Sequence, residues 1–433
     1  MKRWIGITTS LVALVVLIGL PGAKILIKGR QVDFPCYYSA TRLMVKRQDP
    51  NNLDFLREEA RAHGMEMPGP APQLAFPAFA LTLPIAFFRP QIAMWVWLAM
   101  GALCLIGGVA ITLAATSRVT LAQFGPALLL TATFAPAIWS LYLGQSSQLV
   151  VLFVGLAFFA YVRGRPGVAG FAVGMAGAVK PFPLLLIIHF ILRRQWRAVA
   201  TFAATIVVAL LISMAWLGPG YPIRWWHYLG YYKGALMPLN QSLYAGIQRA
   251  TRVGIVSHAG ELLSPVAPQF SATILLVIVA IGVLSCWLFA TARMAARKVT
   301  TETACLEFAM TLSIAFLLSP FSEEHHASAF VVPIVACLFA LQSKRRLVPL
   351  AVIGSIAVYV IMNIARPLIW YLEYYRPQLL VGRAIESPLL AFMIFLLFSL
   401  PLIGVGLYWL SNTLQCFRQR SGESLTGSVS TPI

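Results

Sequence analysis

The sequence predicts an all-α polytopic membrane protein, and three observations predict it. Of 433 residues, 59% are apolar and only 14 are Asp or Glu, and the apolar residues come in runs long enough for a bilayer. These runs are Leu, Ala, Val and Ile without the alternation over about ten residues that marks a membrane barrel. Helices are then the element that satisfies its own backbone in lipid. Basic residues gather where runs end: Lys2-Arg3, Arg193-Arg194 with Arg197, Arg293 with Arg297-Lys298, Lys344-Arg345-Arg346, and Arg418 with Arg420. Such clusters are topology signals. They account for the net charge of +19 without nucleic acid.

The predicted spans lie near 4–27, 73–89, 91–115, 119–142, 147–162, 168–192, 198–217, 270–292, 303–320, 327–342, 347–366 and 388–411. These roughly twelve segments form one domain over 1–418, ahead of a Ser-, Thr- and Gly-rich tail, 419–433, expected to be disordered. The first run extends to Ile27 without a small-x-small cleavage site, so it reads as a retained helix rather than a signal peptide. The external loop 28–72 is amphiphilic. Its stretches 37–46 and 53–63 read as short interfacial helices with Arg42, Lys46, Arg47, Arg57, Glu58, Glu59 and Arg61 on polar faces.

The basic clusters place both termini in the cytoplasm and the loops near 218–268, 319–326 and 367–386 outside. Arg163 and Arg165 leave one parity open. Kept inside, they require 166–192 to be a short hairpin turning at Lys180-Pro181; a single span there puts both outside. Cys36, Cys104, Cys286, Cys305, Cys337 and Cys416 show no paired spacing, so neither a disulfide framework nor a zinc site is indicated.

In a chain with so few carboxylates, an acid at a membrane face stands out. Asp33 opens Asp33-Phe34-Pro35-Cys36-Tyr37-Tyr38, and reads either as a helix cap or partner of Arg30 or Arg42, or as a general base. The string Ser319-Pro320-Phe321-Ser322-Glu323-Glu324-His325-His326 follows a span. It is open to three readings: a polar turn, a metal site, or histidines reaching a phosphate or sugar hydroxyl. Adjacent residues on an α-helix point about 100° apart, which disfavours His325 and His326 as joint metal ligands. Lys180, inside an apolar stretch, is either a phosphate ligand or a snorkelling cation. Asn240-Gln241-Ser242-Leu243 formally contains a glycosylation sequon. With Arg249 and Arg252 it reads better as pocket polar groups plus phosphate-binding arginines. Gln145, in Gly144-Gln145-Ser146-Ser147-Gln148, serves either packing or a sugar contact.

Taken in order, these strings resemble glycosyltransferase family 87, the polyprenyl-phosphate-mannose-dependent membrane mannosyltransferases with the C-type glycosyltransferase fold. The resemblance runs from Asp33 to Pro333. It rests on Asp33 with Tyr37-Tyr38, Asp49-Pro50, Phe76-Pro77, Gly144-Gln145, Lys180-Pro181, Asn240-Gln241-Ser242-Leu243, and Ser319-Pro320-x-Ser322-x-x-His325-His326. It implies transfer of a hexose, usually mannose, from a polyprenyl-phosphate donor to a lipid or glycan acceptor on the non-cytoplasmic face of a bacterial inner membrane, with inversion. It also implies Asp33 as base, and His325 and His326 near phosphate or acceptor. Tyr37, Tyr38, Gln145, Lys180, Asn240, Gln241, Arg249 and Arg252 complete the expected substrate site. No metal or other cofactor is expected.

The chain departs from the family in carrying Phe76-Pro77-Ala78 for Tyr-Pro-Pro and Glu323 where Trp commonly precedes the histidines. Two rival readings are a transporter or lipid flippase, which should place polar groups at midplane helix breaks, and a non-catalytic family member.

Overall fold

A computed structural model describes residues 2–29, 31–66, 76–116, 119–231, 240–251, 269–319, 322–340, 349–375 and 388–423. These residues are almost wholly helical; among them the only bridge pairs Asn240 with Glu323. Among the described residues, six helices are long and apolar enough to cross a membrane: Lys2–Lys28, Pro90–Thr116, Trp196–Leu217, Ile274–Ala295, Thr301–Leu318 and Leu350–Leu368. A seventh crossing arises if Leu121–Thr133 and Ala135–Leu143, bent by 64°, count as one.

The expected twelve segments therefore include shorter pieces, namely Ser147–Val162, Pro166–Val179, Phe182–Leu192 and Glu324–Phe339. Proline explains two of the breaks. Pro136 sits in the first turn after the bend at Phe134, and Pro181 follows Lys180, whose backbone is extended at φ −145°, ψ 134°. A residue before proline is pushed out of the helical region, which stops the helix at Lys180, and Pro136 has no N–H with which to carry the helical ladder back across Phe134. Two boundaries differ from expectation. The helix Pro349–Tyr375 runs through Pro367 into the expected loop 367–386. The helix Pro388–Glu423 runs into the tail expected to be disordered from 419.

The segment 166–192 is the hairpin. Thr201 donates to the Gly167 carbonyl at 2.9 Å, and a Cβ on Gly174 would lie 2.9 Å from Thr205. Pro166–Val179 and Trp196–Leu217 thus start at the same end and run side by side, so the piece between them must return. Arg163, Arg165, Arg193, Arg194 and Arg197 consequently share one end of the bundle. The first helix begins there too, packed so closely that a Cβ on Gly6 would stand 2.2 Å from the Leu121 carbonyl oxygen. The last helix comes back to it, with the Cys416 thiol 3.8 Å from the Ala290 carbonyl.

A helix of 14 residues is about 21 Å long, against about 30 Å of hydrocarbon. Lys180, at the tip of the hairpin, therefore lies short of the opposite face. The same far end carries the first loop, built from helices Phe34–Val45 and Leu53–Ala62. Glu59 was expected on an exposed polar face; it is buried instead, held by Arg42 at 2.7 Å and by Lys46. Pairing of one acid by two cations explains why burial is tolerated. The loop is tied to the helix Tyr221–Tyr231 by Arg224 on Asp49 at 2.6 Å and by Asn51 donating to the Tyr221 hydroxyl at 3.1 Å.

Candidate active site

The first polar group is fixed by a turn that only glycine fits. Gly144 ends the helix Ala135–Leu143 at φ +80°, and a Cβ there would stand 3.0 Å from Gln31 Oε1 and 3.1 Å from Phe34 Cβ. Trp97 donates to its carbonyl at 2.8 Å. The Asp33 backbone N–H donates to Leu143 at 2.9 Å across the same turn. This clamp sets Asp33, at the head of helix Phe34–Val45, against Gln145. Asp33 makes no side-chain cap bond to its own helix, Arg42 is occupied by Glu59, and Arg30 lies outside the described residues. Its carboxylate accepts instead from Gln145 Nε2 at 2.8 Å.

From Gln145 the network continues inward. Its Oε1 accepts from the Tyr37 hydroxyl at 2.7 Å and from Lys180 Nζ at 3.2 Å. Lys180 also donates to His326 Nε2 at 2.9 Å and His325 Nε2 at 3.3 Å. Both imidazoles must offer a lone pair to that ammonium, which fixes them as neutral with the proton on Nδ1. His325 Nδ1 then faces Glu323 Oε2 at 3.1 Å. Phe182 stacks on His326 with ring centres 5.8 Å apart.

Contrary to the expected splay of adjacent side chains, His325 and His326 converge on one atom. They sit in a 3₁₀ turn, Glu324–Phe330, and the shared cation draws both rings in. Glu323, His325 and His326 can each bring one ligand atom within 4.8 Å of the others. Lys180 Nζ lies against Nε2 of both histidines.

Asn240 and Gln241 act one step back. Asn240 Oδ1 accepts from the Ser322 backbone at 3.1 Å, and the Gln241 N–H donates to the Ser322 carbonyl at 2.6 Å. Together they pin the strand of chain that presents Glu323. Asn240 is fully buried, which removes it as a glycan acceptor in the folded chain. Tyr38 turns away from the cluster: its hydroxyl donates to the Phe88 carbonyl at 2.9 Å, and Arg42 covers its ring. Arg252 and the Arg249 side chain lie outside the described residues.

Burial raises the Asp33 carboxyl above its ordinary value, while the Gln145 hydrogen bond and the charges of Lys180 and Lys24 oppose that rise. Burial and then the nearby Asp33 charge likewise raise Glu323, against Lys180 and Arg366. An acid in partial contact with solvent, and raised above its ordinary value, is a stronger base than a free carboxylate.

Two polar sites escaped the sequence reading. Arg366 approaches Glu324 at 3.4 Å and covers the Trp139 ring at 4.2 Å. At the basic end, Glu307 binds Arg193 at 3.0 Å, His189 at 2.9 Å and the Tyr161 hydroxyl at 2.7 Å. The signal existed for both. Each is a charge inside an apolar run, the same feature that singled out Lys180.

The family model for glycosyltransferase family 87 matches residues 76–320, more than half of the chain. Gln145, Lys180, Asn240 and Gln241 fall within the matched stretch; Asp33, Tyr37, His325 and His326 fall outside it and stand on geometry. No curated protein matches the chain.

Proposed function

Because the chain belongs to glycosyltransferase family 87, and so is a membrane glycosyltransferase, we propose that it transfers a hexose, mannose foremost, from a polyprenyl-phosphate donor with inversion. The acceptor is a lipid or glycan at the face of the membrane where the first loop lies, the non-cytoplasmic face of the inner membrane. One observation carries this reading: Asp33, Gln145, Lys180 and His326 form a continuous hydrogen-bonded chain at the tip of the 166–192 hairpin.

The chemistry is a single displacement. Asp33 takes the proton from the acceptor hydroxyl as its oxygen forms a bond to the anomeric carbon. On the opposite side the bond from that carbon to the phosphate oxygen breaks, and the phosphate leaves with the electron pair. Lys180, held in place by the histidines, adds positive charge that steadies the departing phosphate without a direct bond to it, and Arg249 and Arg252 complete the proposed phosphate-binding set. A lipid carrier suits a site recessed in the bilayer, because its tail stays in hydrocarbon while the phosphate meets the cations. A transporter or flippase would spread polar groups across the midplane; here they cluster beside the end that carries the first loop.

The test is transfer from radiolabelled polyprenyl-phosphate sugars by membranes carrying wild-type protein or Asp33→Asn. The variant should lose more than about 100-fold in turnover. Undiminished transfer would remove Asp33 as the base. Wild-type transfer from nucleotide sugars alone would remove the lipid donor.

A further inference from the structure

The geometry points to Arg366 as the ligand for the phosphate of the lipid donor, an assignment that rests on the lipid-phosphate reading above. Arg366 lies on the helix Pro349–Tyr375 and is only 8% exposed. Its guanidinium lies over the Trp139 ring at 4.2 Å. Among the described residues, the acid it approaches is Glu324, 3.4 Å from Nη1. Yet neither Nε nor Nη1 makes a hydrogen bond, although both are shut away from solvent.

Buried donors without acceptors are costly, and a guanidinium presents five of them in a rigid fork. What that fork lacks is an oxyanion with several acceptor atoms, which describes a phosphate.

The contrast with Lys180 sharpens the assignment. An ammonium has three donors, and Lys180 directs them to Gln145, His325 and His326. To bind phosphate it must first release an imidazole. Arg366 has donors to spare and reaches the histidine-bearing segment through Glu324. Its charge also reaches Glu323 and opposes the rise of that carboxyl. Trp139 holds the guanidinium plane from behind, so the fork is oriented before any ligand arrives. Lys180 thus organises the acid side of the site, and Arg366 receives the leaving group.

The experiment measures binding of a short-chain polyprenyl phosphate, and separately of inorganic phosphate, to purified full-length protein in nanodiscs. Four proteins are compared: wild type, Arg366→Lys, Glu324→Gln, and the double variant Arg366→Gln with Glu324→Gln. The double variant removes both charges, so no carboxylate is left buried alone, and Arg366→Lys keeps the charge while losing the fork. Wild type should bind polyprenyl phosphate. Arg366→Lys should bind about tenfold more weakly and the double variant weaker still, whereas Glu324→Gln should bind at least as tightly as wild type. Inorganic phosphate showing the same order would locate the interaction in the headgroup.

Absence of binding by wild type, or a folded double variant with wild-type affinity, overturns the assignment. Turnover separates the two readings. If Arg366-dependent binding coexists with no transfer from any lipid-phosphate sugar, the donor reading fails and the phosphate site stands. If transfer proceeds in the double variant with the donor KM unchanged, the reverse holds.

Discussion

The Gln145 amide donates to the Asp33 carboxylate at 2.8 Å, and its orientation cannot be reversed. Its oxygen faces two donors, the Tyr37 hydroxyl and Lys180 Nζ; a flipped amide would set donors against donors. The amide therefore stabilises the charged form of Asp33 and fixes its position. Hydrogen bonds to charged groups contribute about 1.5–3 kcal/mol, roughly a 10- to 150-fold change in a rate that depends on them. Gln145→Leu should lose turnover in that range with folding intact. Unchanged kcat/KM in that variant would make the amide a bystander.

The pH profile follows from the same pair. Asp33 works as a base only when ionised, and burial raises its pKa against the pull of Gln145, Lys180 and Lys24. Activity should therefore climb with pH through a point above about 4, the ordinary carboxylate value. Lys24 sits away from the chemistry, with Nζ 3.2 Å from the Tyr142 carbonyl and 3.7 Å above its ring. Lys24→Met removes a charge that lowers the Asp33 pKa, so the acid limb should move to higher pH while the high-pH plateau keeps its level. A limb that stays put, or moves down, refutes the electrostatic link.

Some of this was legible in the sequence because polar residues are expensive in lipid. Asp33, Lys180 and the histidine pair stand out against apolar runs, and the structure brings them into one hydrogen-bonded network. Periodicity could not separate Tyr37 from Tyr38: adjacent residues on a helix diverge by about 100°, and only the fold says which one faces Gln145. The role of Asn240 was hidden because its Oδ1 serves a backbone 82 positions away. The hairpin was one of two parities, decided by Thr201 meeting Gly167. Proline breaks near Phe134 and at Lys180 were visible as residues, but the 64° bend was not.

Gly144→Ala gives a conformational test of the clamp. The residue sits at φ +80°, where a side chain costs about 1–2 kcal/mol. The new methyl would also press Gln31 Oε1 at 3.0 Å and Phe34 Cβ at 3.1 Å. Relief must shift either the Asp33 helix or Gln145. The variant should fold, lose a few degrees of thermal midpoint and lose turnover disproportionately. A stability loss with kcat intact would show that the clamp does not set the Asp33–Gln145 geometry.

At the opposite end, Glu307 tests what holds the bundle together. Its side chain is fully shielded and meets His189 at 2.9 Å, Tyr161 at 2.7 Å and Arg193 at 3.0 Å, and through the bond of Arg193 to Met294 the cluster joins four helical segments. Arg193 further donates to the carbonyls of Met294 at 2.8 Å and Arg297 at 2.6 Å. Removing one partner of a buried ion pair costs about 3–5 kcal/mol, since the other charge stays behind in a medium that solvates it poorly. Glu307→Ala should therefore lower the thermal midpoint sharply in detergent. Arg193→Met added to it should recover part of the loss, because no orphan charge remains. Activity per folded molecule should change little, given that the cluster shares no hydrogen bond with Asp33, Gln145 or Lys180. If Glu307→Ala folds as well as wild type, the four segments are held by packing alone and the cluster needs another explanation.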